Sequence, residues 1–191
     1  VGIERINVCT YQSVSGAGKS AMEELAKQTA DLLSSREITP EAFSRQIAFN
    51  AIPQIDVFMD NDYTKEEMKM SWETKKIMGD DTILVNPTAV RVPVFFGHGE
   101  AIHIETRQPI DAEEVKQLLA NAPGVKVYET REEFPTQVSS ASGNDEVHVG
   151  RIRNDITHPN GINMWVVSDN IRKGAATNSV QIAETLVRDY L

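Results

Sequence analysis

Only one cysteine, Cys9, occurs in 191 residues. An internal disulfide is therefore impossible, and cysteine-rich zinc or iron–sulfur sites are excluded with it. Basic charge is also scarce, with 19 Lys and Arg against 28 Asp and Glu, a net charge of −9. A chain this acidic lacks the positive footprint with which proteins grip nucleic acid or anionic membranes. No apolar run approaches the roughly 18 residues of a membrane span, and VGIERINVCTYQ has neither the basic head nor the apolar centre of a signal peptide. These absences predict a soluble cytoplasmic domain with no nucleic-acid or membrane partner. Repeats, low-complexity tracts and linkers are missing too. The start at Val1, running almost directly into a strand pattern, suggests a chain cut from a longer protein.

What is present fits a globular fold: 40% hydrophobic and 25% charged residues. Arg5–Gln12 alternates as a strand, SVSGAGKS reads as a turn, and Met22, Leu25, Ala26, Thr29 and Leu32–Leu33 recur at helical spacing. Ile38–Pro53, punctuated by Pro40 and Pro53, reads as irregular. Thr64-Lys65-Glu66-Glu67 has capping-box spacing and predicts a helix to about Met78, stopped by Gly79, with Met70 and Ile77 buried. Strands are expected at Ile83–Val85, Val90–Phe96, His98–Thr106 and Val125–Tyr128. A helix is expected to start at Pro109-Ile110-Asp111 and to carry Val115, Leu118 and Leu119. Val147–Ile156 and Ile162–Ser168 flank THPNG as a hairpin, and a last helix spans about Gly174–Tyr190. Helices alternate with strands at first, and later strands come as neighbours. The prediction is an α+β fold: a mixed, largely antiparallel sheet with helices on one face. The other face would be covered or would associate, a homodimer through the sheet being the natural solution.

Several clusters invite chemistry. SVSGAGKS nearly matches the phosphate loop, but Ser13 stands where its first glycine belongs, and no Asp after an apolar strand offers itself for magnesium. The plain alternative is a turn with Lys19 and Ser20 in water. His98, Glu100, His103 and Glu105 include metal-ligand types, yet on a strand they divide between two faces, so no metal site is expected. Arg91 interrupts an apolar strand, where a guanidinium needs an anion or a structural partner. His98, after a glycine, could serve as acid or base, or lie plainly at the surface. Glu66 and Lys69 share a helix face as an ordinary ion pair would. Arg151, Arg153, Asp155 and Arg172-Lys173 read as surface, and Cys9 as buried filler rather than a nucleophile.

Four stretches, INVCTYQSVSGAGK, FMDNDYTKEEMKMSWETKKI, NPTAVRVPVFFGHGEAIHIE and GINMWVVSDNIRKGAATNSVQIAE, resemble bacterial aspartate-semialdehyde dehydrogenases, in that family's order and across essentially the whole chain. The resemblance implies NADPH-dependent reductive dephosphorylation of 4-phospho-L-aspartate to L-aspartate 4-semialdehyde and phosphate, on the route to lysine, threonine and methionine. It implies a domain like the C-terminal domain of glyceraldehyde-3-phosphate dehydrogenase, used for substrate binding and dimerisation over residues 1–172. Residues 173–191 would form a helix that packs back on a cofactor domain. That domain carries most of the NADP site and the nucleophilic cysteine, in an Asn-Cys-[Ser/Thr] segment upstream of Val1, so this chain by itself is expected to be inactive. Position by position, Gln12 matches a glutamine that contacts substrate and orients the acyl-enzyme. Glu66 matches the carboxylate for the substrate ammonium, Lys69 the phosphate cation, Arg91 the carboxylate clamp and His98 the general acid/base. Ser15, Gly16 and Asn170 match cofactor contacts. Ala89 stands where a cysteine is expected in related sequences. A non-catalytic dimerisation module or paralogue of the same fold is the alternative, against which the joint retention of Gln12, Glu66, Lys69, Arg91 and His98 argues.

Overall fold

A computed structural model describes all 191 residues. Strand β1 (Ile3–Gln12) pairs parallel with β2 (Leu84–Arg91) on one side and antiparallel with β3 (His98–Thr106) on the other. The sheet continues through β6 (Gly161–Ser168) and β5 (Val147–Asn154) to the short β4 (Val125–Val127), giving the order β2-β1-β3-β6-β5-β4. Three of its five pairings are antiparallel. This is the mixed, largely antiparallel α+β sheet that the pattern predicts.

The pleat decides which side chains meet the helices. Ile102 and Ile104 point to the face where Val149, Ile152, Ile162 and Met164 form a core with Ala112, Val115 and Leu119 of α3 (Ala112–Ala120). Thr10 and Gln12 share that face, because Thr10 pairs directly with Glu100 and Val8 with Ile102. Helix α2 (Lys65–Met78) packs against the β2 edge. Helix α1 (Lys19–Leu33) builds a smaller core of Val14, Ala21 and Leu25 with Ile47, Ala48 and Ile52 of the irregular segment. There Gln28 is buried and its amide oxygen accepts from the Ile47 and Ala48 N–H groups, which lets that segment dispense with regular structure.

The opposite face carries Asn7, Cys9, Tyr11, Asn86, Thr88, Ala101, His103, Asn163 and Trp165. One end of it is covered by the segment after β4. Trp165 donates Nε1–H to the Pro135 carbonyl, and Gln137 Nε2 donates to the Tyr11 and Gly97 carbonyls. Gly99 and Gly150 permit this cover, since a Cβ on them would come within 2.6 Å of Trp165 and 2.5 Å of Pro135.

Local signals hold where chemistry is local. Thr64 and Asp111 both make complete capping boxes, with Glu67 and Glu114, and Gly79 ends α2 at a φ of 64°. Four details differ from expectation. Ile83–Val85 and Val90–Phe96 are not two strands: one strand runs through Pro87, which an edge position tolerates, and Val92–Phe96 is a loop. Met70 is only half-buried and Ile77 is 81% exposed, Glu67 being the one buried residue of α2. Cys9 is half-buried on the open face rather than fully enclosed. Asp155 is no mere surface group: it lies 2.6 Å from His103 Nε2 and receives the Thr157 N–H and hydroxyl. The C-terminal helix α4 (Thr177–Asp189) follows a wide turn at Arg172–Ala176, and its apolar residues Val180, Ile182, Leu186 and Val187 are exposed.

Candidate functional site

Two strand ends, one strand start and one helix start meet at a single edge of the sheet. Gln12 closes β1 and stands in register with Arg91, which closes β2. His98 opens β3, one residue before Gly99, which pairs with Tyr11. The first turn of α2 brings Glu66 and Lys69 over these ends.

Each position has a local cause. The Arg91 backbone is clamped by hydrogen bonds in both directions with Ile52, and its register with Gln12 turns the two side chains to the same face. The residue is 6% exposed, and Nη1 donates to the Ser13 carbonyl at 2.6 Å. Burial pulls its pKa below the usual guanidinium value, with the Glu66 charge opposing that pull. Helix α2 is registered by Glu67, whose two carboxylate oxygens accept from the Thr64 N–H at 2.7 Å and the Ala89 N–H at 2.9 Å. A residue that caps its own helix thus also ties it to β2, two positions before Arg91.

Glu66 and Lys69 form a 2.9 Å ion pair, and Gln12 Nε2 donates to the other Glu66 oxygen at 3.2 Å. Burial raises the Glu66 pKa, but the hydrogen bonds from Lys69 and Gln12 outweigh it, and the carboxylate stays ionised below its ordinary range. The same bond holds the Lys69 ammonium above its usual pKa. His98 goes the other way. Burial, with the Arg91 charge beside it, pushes it down to about 4, so the ring is neutral at pH 7.

Ser13 and Asn170 knit the loops together. The Ser13 N–H donates to His98 Nδ1 at 3.2 Å, and the Ser13 hydroxyl lies at the same distance from that nitrogen. Asn170 Oδ1 accepts from the Gly97 N–H at 2.9 Å and lies within 3.2 Å of the Ser13 and Ser15 hydroxyls. Gly16 is exposed, and a Cβ there would approach Arg91 Nη1 at 3.1 Å and His98 Nε2 at 3.5 Å. The guanidinium and the imidazole therefore border one stretch of bare backbone.

Gln12, Glu66, Lys69, Arg91 and His98 thus converge, with Ser15, Gly16 and Asn170 beside them. Lys19 stays apart: it points to solvent and pairs with Glu23 at 3.5 Å, and Val14–Ala17 is a 3-10 turn rather than a phosphate cradle. His103 lies across the sheet from His98, hydrogen-bonded to Asn7. Sequence reasoning overlooked Glu67, Gln137 and the supporting role of Ser13. Only Glu67 left a signal, its place in the capping box.

As it stands, the arrangement offers an anionic socket, two cationic sockets and a neutral imidazole. That set suits a small zwitterion bearing a second acidic group.

Residues 1–173 match the family model described as semialdehyde dehydrogenase, dimerisation domain. An aspartate-semialdehyde dehydrogenase of a Shewanella species is 67% identical over 99% of the chain, and aspartate-semialdehyde dehydrogenase 2 of Vibrio cholerae is 66% identical over 100%. Each is matched over 56% of its own length, so the chain spans just over half of these relatives. Among solved structures, the Vibrio cholerae aspartate semialdehyde dehydrogenase II complexed with ASA superposes with a TM-score of 0.97 at 65% identity, covering 100% of this chain and 56% of that one. The Candida albicans enzyme with NADP superposes with a TM-score of 0.69 at 26% identity, over 97% and 50% of the two chains.

Proposed function

The chain belongs to the semialdehyde dehydrogenase family, dimerisation domain, and from that premise we propose that it is the substrate-binding and dimerising part of an NADP-dependent aspartate-semialdehyde dehydrogenase. The enzyme would convert 4-phospho-L-aspartate to L-aspartate 4-semialdehyde and phosphate in the cytoplasm, within lysine, threonine and methionine biosynthesis. The observation that carries this reading is the meeting of Glu66, Lys69, Arg91, Gln12 and His98 at one sheet edge.

The charges divide the substrate among them. Glu66, ionised, receives the α-ammonium. Arg91 takes the α-carboxylate through its planar fork, and its buried setting strengthens that contact because little water competes. Lys69 takes the phosphate. Without substrate, Lys69 and Gln12 occupy the Glu66 oxygens, so binding exchanges these internal partners for the ligand's own groups. Gln12 is then free to orient the acyl group. His98, neutral and facing Gly16, is the general acid/base that manages the proton at the oxygen of the reacting carbon.

The residues fit a nicotinamide cofactor at their margin. Gly16 offers exposed backbone without a side chain, and Ser15 and Asn170 offer a hydroxyl and an amide held by neighbouring loops. The reduced cofactor, NADPH, would supply the hydride when bound, and Ser15, Gly16 and Asn170 would hold it on this side. The exposed apolar residues of residues 173–191 would pack on the cofactor domain, residues 1–172 forming the domain proper. The open sheet face would meet a second copy.

Joining the chain to the cofactor-binding half of a close relative tests the proposal. Expected is phosphate-dependent oxidation of aspartate semialdehyde, followed as NADPH formation. Both halves folded and no turnover would overturn it.

A further inference from the structure

We propose that Ser13 is a positioning residue that holds the neutral His98 ring in its Nε2–H form, so that the imidazole meets the substrate as a hydrogen-bond donor. The inference rests on the reading above that His98 faces substrate, and extends it to the direction in which the ring can act. A backbone N–H can only donate. The Ser13 amide lies 3.2 Å from His98 Nδ1, so that nitrogen must present its lone pair. The Ser13 hydroxyl is also 3.2 Å from that nitrogen; its one hydrogen adds a second donor there only when it turns from Asn170 Oδ1, 3.1 Å away, and the Ser15 hydroxyl bonds that oxygen instead. A proton on Nδ1 would face the amide hydrogen head-on, which disfavours both the other tautomer and the imidazolium. The neutral ring therefore carries its proton on Nε2.

That edge faces outward to the site. A Cβ at Gly16 would lie 3.5 Å from Nε2 and 3.1 Å from Arg91 Nη1, so the proton-bearing nitrogen and the guanidinium border the same exposed backbone. Ser13 governs both groups, because its carbonyl accepts Arg91 Nη1 at 2.6 Å. It is in turn fixed: the residue is fully buried, and its hydroxyl lies 3.1 Å from Asn170 Oδ1 and from the Ser15 hydroxyl. Burial, first, and the Arg91 charge oppose protonation of the ring and prevail over the Gly97 backbone and the Glu66 and Asp169 charges, which favour it. Chemically, an Nε2–H imidazole steadies an oxygen that is gaining negative charge, and cannot take a proton at Nε2 until Nδ1 gives up the Ser13 amide.

Nitrogen-15 spectra of the chain with labelled histidine rings test this directly, His98→Gln identifying the signals. Expected at neutral pH is a protonated Nε2 and a bare Nδ1 in His98, the ring charging only well below the usual histidine range. An Nδ1–H ring, or an imidazolium at neutral pH, would overturn the proposal. Ser13→Ala keeps the amide and removes the hydroxyl. It should raise the ring's pKa by roughly half a unit to one unit, and Ser13→Thr should restore it. In the joined enzyme the acidic limb of the pH–rate profile should move with it, kcat falling about fivefold and KM changing less than about twofold. A Ser13→Ala ring and profile identical to the parent's would also overturn it. An Nε2–H ring in a joined enzyme without turnover would instead strike the assigned reaction and leave the positioning role supported.

Discussion

Arg91 shows how far one buried charge can specialise a site. Its backbone is locked by Ile52 and its guanidinium is committed at one nitrogen to the Ser13 carbonyl, which leaves the rest of the fork for a ligand. Charge-assisted hydrogen bonds are worth about 1.5–3 kcal/mol each. Arg91→Ala should therefore raise KM for the semialdehyde roughly 10- to 100-fold in the joined enzyme, and Arg91→Lys should recover little of it, because a point charge cannot replace the fork. Steady-state kinetics decide; an unchanged KM would remove the carboxylate role. His98 offers a stability test at the same scale. Its folded pKa of about 4 lies below the unfolded value of about 6.5, so between these the unfolded chain binds more protons and stability falls as pH falls. The loss is on the order of 3 kcal/mol at most across that window. Glu66 and Asp169, whose pKa values are lowered, lose their contributions in the same direction but in a more acid range. Urea unfolding at pH 7 and pH 5 should thus show a smaller drop for His98→Gln than for the parent. Equal drops would mean that the ring is not held neutral by the fold.

At the scale of elements, the start of α2 is the piece on which the substrate sockets depend. Glu67 holds the helix to β2 through Ala89, and Glu66 and Lys69 ride on its first turn. Glu67→Gln keeps the shape but turns one acceptor into a donor facing an N–H. The expected cost is about 1–3 kcal/mol in unfolding free energy, against about 1 kcal/mol for Thr64→Ala, which loses only the cap. Urea midpoints measure both, and a Glu67→Gln variant as stable as the parent would show that the tether to Ala89 carries no weight. This contrast also shows what a sequence can disclose. Thr64-x-x-Glu67 is a local pattern and was readable, as were Asp111, Gly79 and the hairpin around Thr157–Gly161. The bond to Ala89, 22 residues away, depends on how helix and strand align, which no local pattern encodes. Val92–Phe96 misleads for the related reason that an apolar run reads alike in strand and loop. Here Val14 and Ser15 donate to the Val94 and Phe95 carbonyls and hold the loop without a ladder. The site residues were legible only as a set resembling a family. Taken singly, Arg91 and His98 had ordinary structural explanations, and Gln137, a neutral side chain bridging two carbonyls, gave no sign at all.

For the whole molecule, the two faces of the sheet have different tasks. The helix side carries the core and delivers Gln12 and His98 to the site edge, while the open side is polar and only partly covered by Pro135 and Gln137. Across it, Asn86 Nδ2 donates to Asn7 Oδ1, and the Asn7 amide continues to His103 Nδ1, so polar groups on three neighbouring strands are linked within one chain. Pairing of Asn86, Asn7 and His103 lowers the desolvation cost of covering this face, and small side chains at Thr88 and Ala101 let a second sheet approach closely. Ala101 is exposed in register between Cys9 and Trp165. A carboxylate there would be stranded beneath a partner chain, yet in a single copy it would lie in water and disturb nothing. Ala101→Glu should therefore convert a two-copy particle into one copy in sedimentation at micromolar concentration, with the far-ultraviolet circular dichroism unchanged. A parent chain that already sediments as one copy, or a variant that still pairs, would place the association surface elsewhere.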